Sequence, residues 1–210
     1  MFRFKQFAVR QDRCPMKVGT DGVLLGAWAP VLPSDRRVLD IGTGTGLIAL
    51  MMAQRMPQAR IAGVDIDDVS QARENADASP WGARLEFHRC PVQEFAAGGA
   101  FDLIVSNPPY YPAGSGGVSD SPALAAARTE LFCTLDDLCA CAAWLLRSGG
   151  RFFVVHKPER LAELICALSR RRLEPKRLRL VRHQAGGSVS LVLLEARLDG
   201  RPGLQFDPDL

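Results

Sequence analysis

Val38-Leu39-Asp40-Ile41-Gly42-Thr43-Gly44-Thr45-Gly46 reads as a short apolar strand that runs into a glycine-rich turn. Leu47 to Met56 continues with helical composition until Pro57 stops it. Strand, turn and helix in that order open a βαβ unit, and the same alternation recurs downstream. Ile61 to Asp65 is a second strand, with a helix expected from Asp67 to Ala78. A third strand covers Arg84 to His88, a fourth begins at Phe101, and a fifth runs from Arg151 to His156. Between the last two, Thr134 with Asp136 and Asp137 should cap a helix through Trp144 to Arg147. Pro158 should start another, ending near Arg171. Leu178 to Val181 and Val189 to Ala196 then close the chain as an antiparallel pair around Gly186-Gly187. The expected fold class is therefore α/β, a doubly wound and mostly parallel sheet. Upstream, residues 2–9 alternate weakly and suggest an edge hairpin. A loop follows, then a short helix from Val23 to Trp28 with Thr20 or Asp21 as its cap.

The fourth strand ends in an unusual way: Phe101-Asp102-Leu103-Ile104-Val105-Ser106-Asn107-Pro108-Pro109-Tyr110. An apolar run of this length fits a central strand covered on both faces. The prolines halt it, because Pro has no N–H for the ladder and holds the preceding residue extended. Asn107 is thus fixed at a strand end, and Tyr110 follows on a stiff lip. Strand tips are where open α/β sheets bind ligands. The irregular stretch from Pro112 to Ala127 comes directly afterwards and reads as a substrate-facing loop.

The glycine turn narrows the ligand. Gly-x-Gly-x-x-Gly would suggest a dinucleotide. Here the spacing is Gly42-x-Gly44-x-Gly46, with the carboxylate Asp40 just ahead. A shortened turn beside an acid favours a ligand with a cationic amine, such as S-adenosylmethionine, over a pyrophosphate. Asp65, at the tip of the next strand, is placed to accept ribose hydroxyls. At the other tip, the Asn107 side-chain oxygen and the Pro108 carbonyl are two acceptors suited to an amino group, with the Tyr110 ring beside them.

Bulk composition bounds the rest. A chain of 210 residues, 47% hydrophobic and 23% charged, suits one well-filled globular domain. We expect a single domain over residues 1–210: residues 1–33 as hairpin, cofactor lid and short helix, and residues 34–210 as the core. The apolar runs are far shorter than the roughly 20 residues that span a bilayer. The N-terminus shows no apolar stretch of a signal peptide, so the cytoplasm is the expected compartment, without membrane contact or an obligate protein partner. Six cysteines include no Cys-x-x-Cys pair, so reduced thiols and no metal are expected. The scattered His88, His156 and His183 suggest no catalytic triad. Charge is uneven. Residues 1–18 hold five basic side chains against one acidic, and residues 147–182 hold eleven against three. Two basic ends around an acidic centre suggest a polyanionic partner.

Val38 to Ala49 resembles the cofactor-binding motif of class I methyltransferases. Asn107-Pro108-Pro109-Tyr110 resembles the signature of those that methylate planar amino nitrogens. Further stretches are similar to the bacterial tRNA1(Val) (adenine(37)-N6)-methyltransferase family: Phe4-Lys5-Gln6, Asp12-Arg13-Cys14, Met16 to Gly22, Leu24 to Trp28, Ser79-Pro80-Trp81, Ala127 to Glu130, His156 to Leu161 and Glu174 to Arg179. The resemblance implies a Rossmann-like, seven-stranded sheet with one reversed strand. It also implies methyl transfer from S-adenosylmethionine, leaving S-adenosylhomocysteine, to the N6 of an adenine in tRNA. Cofactor contacts would come from Lys17, Thr20, Asp40, Gly42, Gly44, Gly46, Asp65 and Asn107, with Lys17 to Asp21 folding over as a lid. Asn107, Pro108 and Tyr110 would be catalytic. Tyr110, Tyr111 and Arg128 would face the substrate, Arg128 either meeting a phosphate or bracing its loop through Glu130. Two positions depart from the pattern: Cys90-Pro91-Val92 stands where many such enzymes place an Asp on the cofactor adenine, and no Asn follows Gly187. Guanine N2 in ribosomal RNA, a protein glutamine amide and a non-catalytic RNA-binding role stay open as alternatives.

Overall fold

The computed structural model describes residues 1–111 and 133–210. In chain order the strands are β1 (Phe2–Arg3), β2 (Ala8–Val9), β3 (Arg37–Ile41), β4 (Arg60–Asp65), β5 (Leu85–Arg89), β6 (Phe101–Ser106), β7 (Leu146–His156), β8 (Leu173–Arg182), β9 (Val189–Leu198) and β10 (Gln205–Phe206). The described helices are α1 (Thr20–Trp28), α2 (Leu47–Arg55), α3 (Ser70–Asp77), α4 (Leu135–Leu145) and α5 (Leu161–Arg170). β1 and β2 form a separate antiparallel hairpin. The remaining strands form one sheet in the order β10-β8-β9-β7-β6-β3-β4-β5. Every pairing in it is parallel except those of β9, which runs against both β7 and β8. That is the single reversed strand, held between two strands of the other sense.

The order explains where a ligand can sit. From β3 the chain steps outward to β4 and β5, then returns to lay β6 on the other side of β3. The direction in which strands are added reverses between β3 and β6, so their C-terminal ends flank the crevice where such sheets bind ligands. The register pairs Ile41 with Ser106, so the glycine turn and Asn107 leave the sheet side by side.

Period-2 alternation sorts the core into two layers. Leu39, Ile41 and Ile104 face one way, against Leu138 and Leu145 of α4 and Leu164 and Leu168 of α5. Val38, Leu103 and Val105 face the other, against Leu25 of α1 and Ile48 and Met52 of α2. The hairpin adds a satellite cluster, with Phe7 and Val9 on Leu47, Leu50 and Met51 of α2. Among the described residues no helix is long and apolar enough to cross a membrane.

Several boundaries differ from the sequence reading. β10 is an eighth strand, two residues long, added beside β8. Its Gln205 and Phe206 are both exposed, so no hydrophobic period announces it. The helix expected to reach Arg147 ends at Leu145, and β7 begins at once. Leu146 is drawn into the sheet opposite Phe101, and Arg147 instead meets the carboxylate of Asp102. α3 starts at Ser70, whose N–H is accepted by Asp68 at 3.0 Å. α1 starts at Thr20 without any side-chain cap. The Thr134 cap does form, as a reciprocal box with Asp137.

Candidate active site

A cavity of about 580 Å³ opens at the β3–β6 switch point. It is walled by the glycine turn, the tips of β4 and β5, the Asn-Pro-Pro-Tyr segment, and a strap that leads from the hairpin into α1.

The turn is built for close approach. Gly42, Gly44 and Gly46 all have positive φ, at 72°, 50° and 79°. A Cβ on Gly44 would meet nothing within 4 Å, so its edge is open to a ligand. One on Gly46 would stand 3.2 Å from Phe87 and 3.3 Å from Ala72, so that glycine serves helix packing. The tip of β4 fixes the turn from beside it: the Gly44 N–H donates to Asp65 Oδ2 at 2.8 Å. Asp65 lines the cavity, and burial raises its carboxyl pKa.

Asp40 lies elsewhere than the sequence suggests. It is fully buried and absent from the cavity wall. Its Oδ2 accepts from Thr43 Oγ1 at 2.8 Å and from the Ala49 N–H at 3.1 Å, tying the turn to α2. Among the described residues Oδ1 has no partner. Burial pushes the carboxyl up to about 7.

Two buried amides anchor the strap to α3. Gln71 Oε1 accepts from the N–H groups of Arg13 and Cys14, each at 3.1 Å. Asn75 accepts from Arg10 N–H at 2.8 Å and donates to Arg10 O and to Thr45 O in the glycine turn, both at 2.9 Å. Cys14 to Gly19 thereby form one wall of the cavity. Lys17 lines it too, with its Nζ donating to the carbonyls of Gln11 and Cys14 within the strap. Thr20 is exposed at the start of α1 and is not on the wall.

On the opposite side, Ser106 Oγ donates to Ile41 O at 2.9 Å and clamps the two strand tips together. Asn107, Pro108, Pro109, Tyr110 and Tyr111 follow along the wall. Tyr110 turns inward. Its hydroxyl stands 2.7 Å from both Asp21 Oδ2 and Asn107 Oδ1. Burial, then the Asp21 charge, raise its pKa. His156 meets the ring edge-on at 5.3 Å, and Lys157 Nζ sits 5.5 Å from its centroid. Tyr111, at the end of that wall, is 44% exposed. Arg128 lies outside the described residues.

Sequence reasoning misses three residues here. It offers Asp21 as a helix cap and as the end of the lid, and the fold alone brings that carboxylate to Tyr110. Lys157 directly follows β7 beside the Asn107 segment, a neighbour that strand order alone supplies. His156, with no role legible in the sequence, is fully buried; its Nδ1 accepts from the Lys157 N–H at 2.9 Å, and burial holds its pKa down to about 4. At the tip of β5, Cys90, Pro91, Val92 and Gln93 line the cavity with no carboxylate among them. Among the described residues no three His, Cys, Asp or Glu side chains gather as a metal site.

The arrangement can hold an adenosyl cofactor: an open glycine edge at Gly44, a carboxylate at the next strand tip and a volume suited to a small molecule. Comparison with known proteins agrees with that geometry. Residues 23–170 match the methyltransferase small domain family. A tRNA1(Val) (adenine(37)-N6)-methyltransferase from Cronobacter sakazakii is 45% identical over 215 aligned residues, covering 100% of this chain and 85% of the relative. Another of that name, from Aeromonas hydrophila, is 46% identical over 92% of this chain and 81% of its own length. Among solved structures, a predicted O-methyltransferase from Agrobacterium tumefaciens superposes with a TM-score of 0.71. At 21% identity over 91% of this chain and 86% of that one, it shares the fold.

Proposed function

The chain belongs to the methyltransferase small domain family, among the tRNA1(Val) (adenine(37)-N6)-methyltransferases, and from that premise we propose that it methylates the N6 of an adenine in tRNA, at position 37 of a valine tRNA. The observation that carries this is the placing of Asn107 and Pro108 on the wall of the cavity that Gly44 and Asp65 also line. S-adenosylmethionine, when bound there, supplies an electrophilic methyl group on a sulfonium.

The chemistry asked of the protein follows from the acceptor. An adenine amino nitrogen shares its lone pair with the ring and is a poor nucleophile. The Asn107 amide oxygen and the Pro108 carbonyl accept its two N–H groups, draw the nitrogen out of conjugation and aim its lone pair at the methyl group. They also stabilise the positive charge that grows on nitrogen as the new bond forms. Gly42 and Gly44 would let the cofactor lie close, and Asp65 would hold its ribose hydroxyls. Holding both partners in one crevice supplies the proximity part of the acceleration. No strong base is required, since the proton on the methylated nitrogen is acidic and passes to water. His156 stays neutral near pH 7 because burial holds its pKa at about 4, with Nδ1 engaged by backbone. The ring of Tyr110 stacks on the flipped base, a contact worth about 1–3 kcal/mol. Lys157 occupies one side of that ring, so the base takes the other or displaces the amine.

Incubation with unmodified total tRNA and labelled donor, followed by nucleoside analysis, should give N6-methyladenosine in one valine tRNA. Label confined to ribosomal RNA or to protein would replace this reading with guanine or glutamine as the acceptor. Asn107→Ala should keep cofactor affinity within a few-fold while turnover falls about a hundredfold or more; equal loss of both would remove the role given to Asn107.

A further inference from the structure

One hydroxyl proton faces two acceptors beside the cavity. Tyr110 Oη lies 2.7 Å from Asp21 Oδ2 and 2.7 Å from Asn107 Oδ1, and a phenol has a single O–H to give. The carboxylate is the stronger acceptor, because a charge-assisted bond outweighs a neutral one. Once the proton points at Asp21, an amide oxygen at the same short distance would set lone pair against lone pair. An amide turned over by 180° satisfies all three groups: Asn107 Nδ2 donates to Oη, and Oη–H donates to Asp21. The choice between the two orientations is settled by hydrogen-bond logic.

The turned amide sends its oxygen to the other end of the group. That end points at α1, where a Cβ built on Gly22 would stand 3.8 Å from it. Gly22 lines the cavity. We propose that Asp21 is a positioning residue: by taking the Tyr110 proton it fixes the Asn107 amide with its oxygen toward the cavity, ready for the substrate amino group. The inference rests on Asn107 being the amino-group acceptor. Its counterpart is what happens without Asp21. The phenol then donates to the Asn107 oxygen and occupies the acceptor that the reaction needs. α1 belongs to the same N-terminal segment as the strap, so this contact also joins the cofactor wall to the substrate wall. Asp21 Oδ1 meanwhile accepts from the Gly22 N–H at 2.8 Å, which holds the carboxylate in place.

The test is a cycle of Asp21→Ala, Tyr110→Phe and the double variant, with Asp21→Asn alongside, assayed for turnover on tRNA, KM for tRNA, cofactor Kd and melting temperature. Asp21→Ala should lower kcat by about ten- to a hundredfold, as misorientation of a reacting group does, with cofactor Kd within about threefold of wild type. Asp21→Asn leaves two neutral amides competing for the phenol proton and should recover only part of the rate lost in Asp21→Ala. Adding Tyr110→Phe to Asp21→Ala should raise kcat to the level of Tyr110→Phe alone, because no hydroxyl remains to block Asn107. Independent, multiplying losses would overturn the inference, as would equal weakening of cofactor binding in Asp21→Ala and Asp21→Asn. If instead Asn107→Ala retains turnover, or wild type leaves tRNA adenine untouched, the reading of the site fails and this inference falls with it.

Discussion

Asp40 and His156 sit inside the molecule with opposite responses to pH. Both are fully buried. Burial raises the Asp40 carboxyl to about 7, with the Asp65 charge adding to it. Burial lowers the His156 imidazole to about 4, with Arg160 adding to it. An unfolded Asp titrates near 3.9 and an unfolded His near 6.5. Between about pH 4 and 7 the folded chain therefore holds a proton on Asp40 that the unfolded chain lacks, and stability falls as pH rises. Between about pH 4 and 6.5 the unfolded chain holds a proton on His156 that the folded chain lacks, and stability rises with pH. The two slopes offset each other. Asp40→Asn should leave the His156 slope exposed, so stability climbs across this window more steeply than in wild type. His156→Gln should do the reverse, each by up to about 1.4 kcal/mol per pH unit. Urea unfolding at pH 4.5, 5.5 and 6.5 reads this directly, and other titrating groups cancel because all three proteins share them. Parallel profiles would show that neither group is perturbed in the fold. The sequence places an acid before the glycine turn but does not give its direction. Asp40 points between the turn and α2 because the side chain on that register position faces into the packed layer.

At the scale of elements, the glycine turn separates two functions that its spacing presents as one. Gly44 borders open space, whereas Gly46 packs on Phe87 and Ala72. Both have positive φ, so an alanine at either position carries a backbone penalty of about 1–2 kcal/mol. At Gly46 the added methyl must also push aside a ring and a helix, and overpacking costs about 1–3 kcal/mol more. Gly46→Ala should thus lower the melting temperature of the cofactor-free protein clearly more than Gly44→Ala does. Gly44→Ala should instead weaken S-adenosylmethionine binding in calorimetric titration, since its methyl enters the cradle. The opposite ranking would mean that Gly46, not Gly44, borders the ligand. Spacing of three glycines announces such a turn, and alternating strand and helix patterns announce the sheet. Which glycine faces the ligand depends on where α3 and β5 pack, and that information is spread over distant residues. The same holds for Asp21, whose partner Tyr110 is 89 positions away. β10 is illegible for another reason: it gains its place from pairing with β8 and from the ion pairs of Asp207, not from any apolar pattern of its own.

Over the whole molecule, the basic segment from 147 to 182 turns out to be largely answered by carboxylates of the same chain. Of the eleven basic residues between 147 and 182, nine meet a carboxylate among the described residues: Arg147 with Asp102, Arg151 with Asp35, Arg160 with Glu163, Arg170 and Arg171 with Asp136, Arg172 with Asp199, Arg177 and Arg179 with Asp207, and Arg182 with Asp209. Much of the excess charge in that segment thus serves the fold, clasping the C-terminal tail onto the sheet. At the other end, Arg3, Lys5 and Arg10 are exposed and make no ion pair among the described residues. They lie on or beside a hairpin stiffened by ring contacts of Phe2 with Phe4 at 5.0 Å and Phe4 with Phe7 at 4.5 Å. Asn75 links that hairpin to the glycine turn, holding Arg10 and Thr45 together, so these charges keep a fixed position relative to the cavity. A polyanion gains most from cations whose charge is not already answered, because each neutralised phosphate releases a counterion. Replacing Arg3, Lys5 and Arg10 together by Gln should therefore flatten the dependence of log Kd for tRNA on log salt, by about 0.7–0.9 for each phosphate no longer neutralised. Replacing Arg177, Arg179 and Arg182 should leave that slope nearly intact and lower the melting temperature, since Asp207 and Asp209 lose their arginine partners. Filter binding at four salt concentrations measures the slopes, and thermal melting measures the stability. A slope that drops for the second set and not the first would move the RNA to the β8 edge of the sheet, with the tail displaced to admit it.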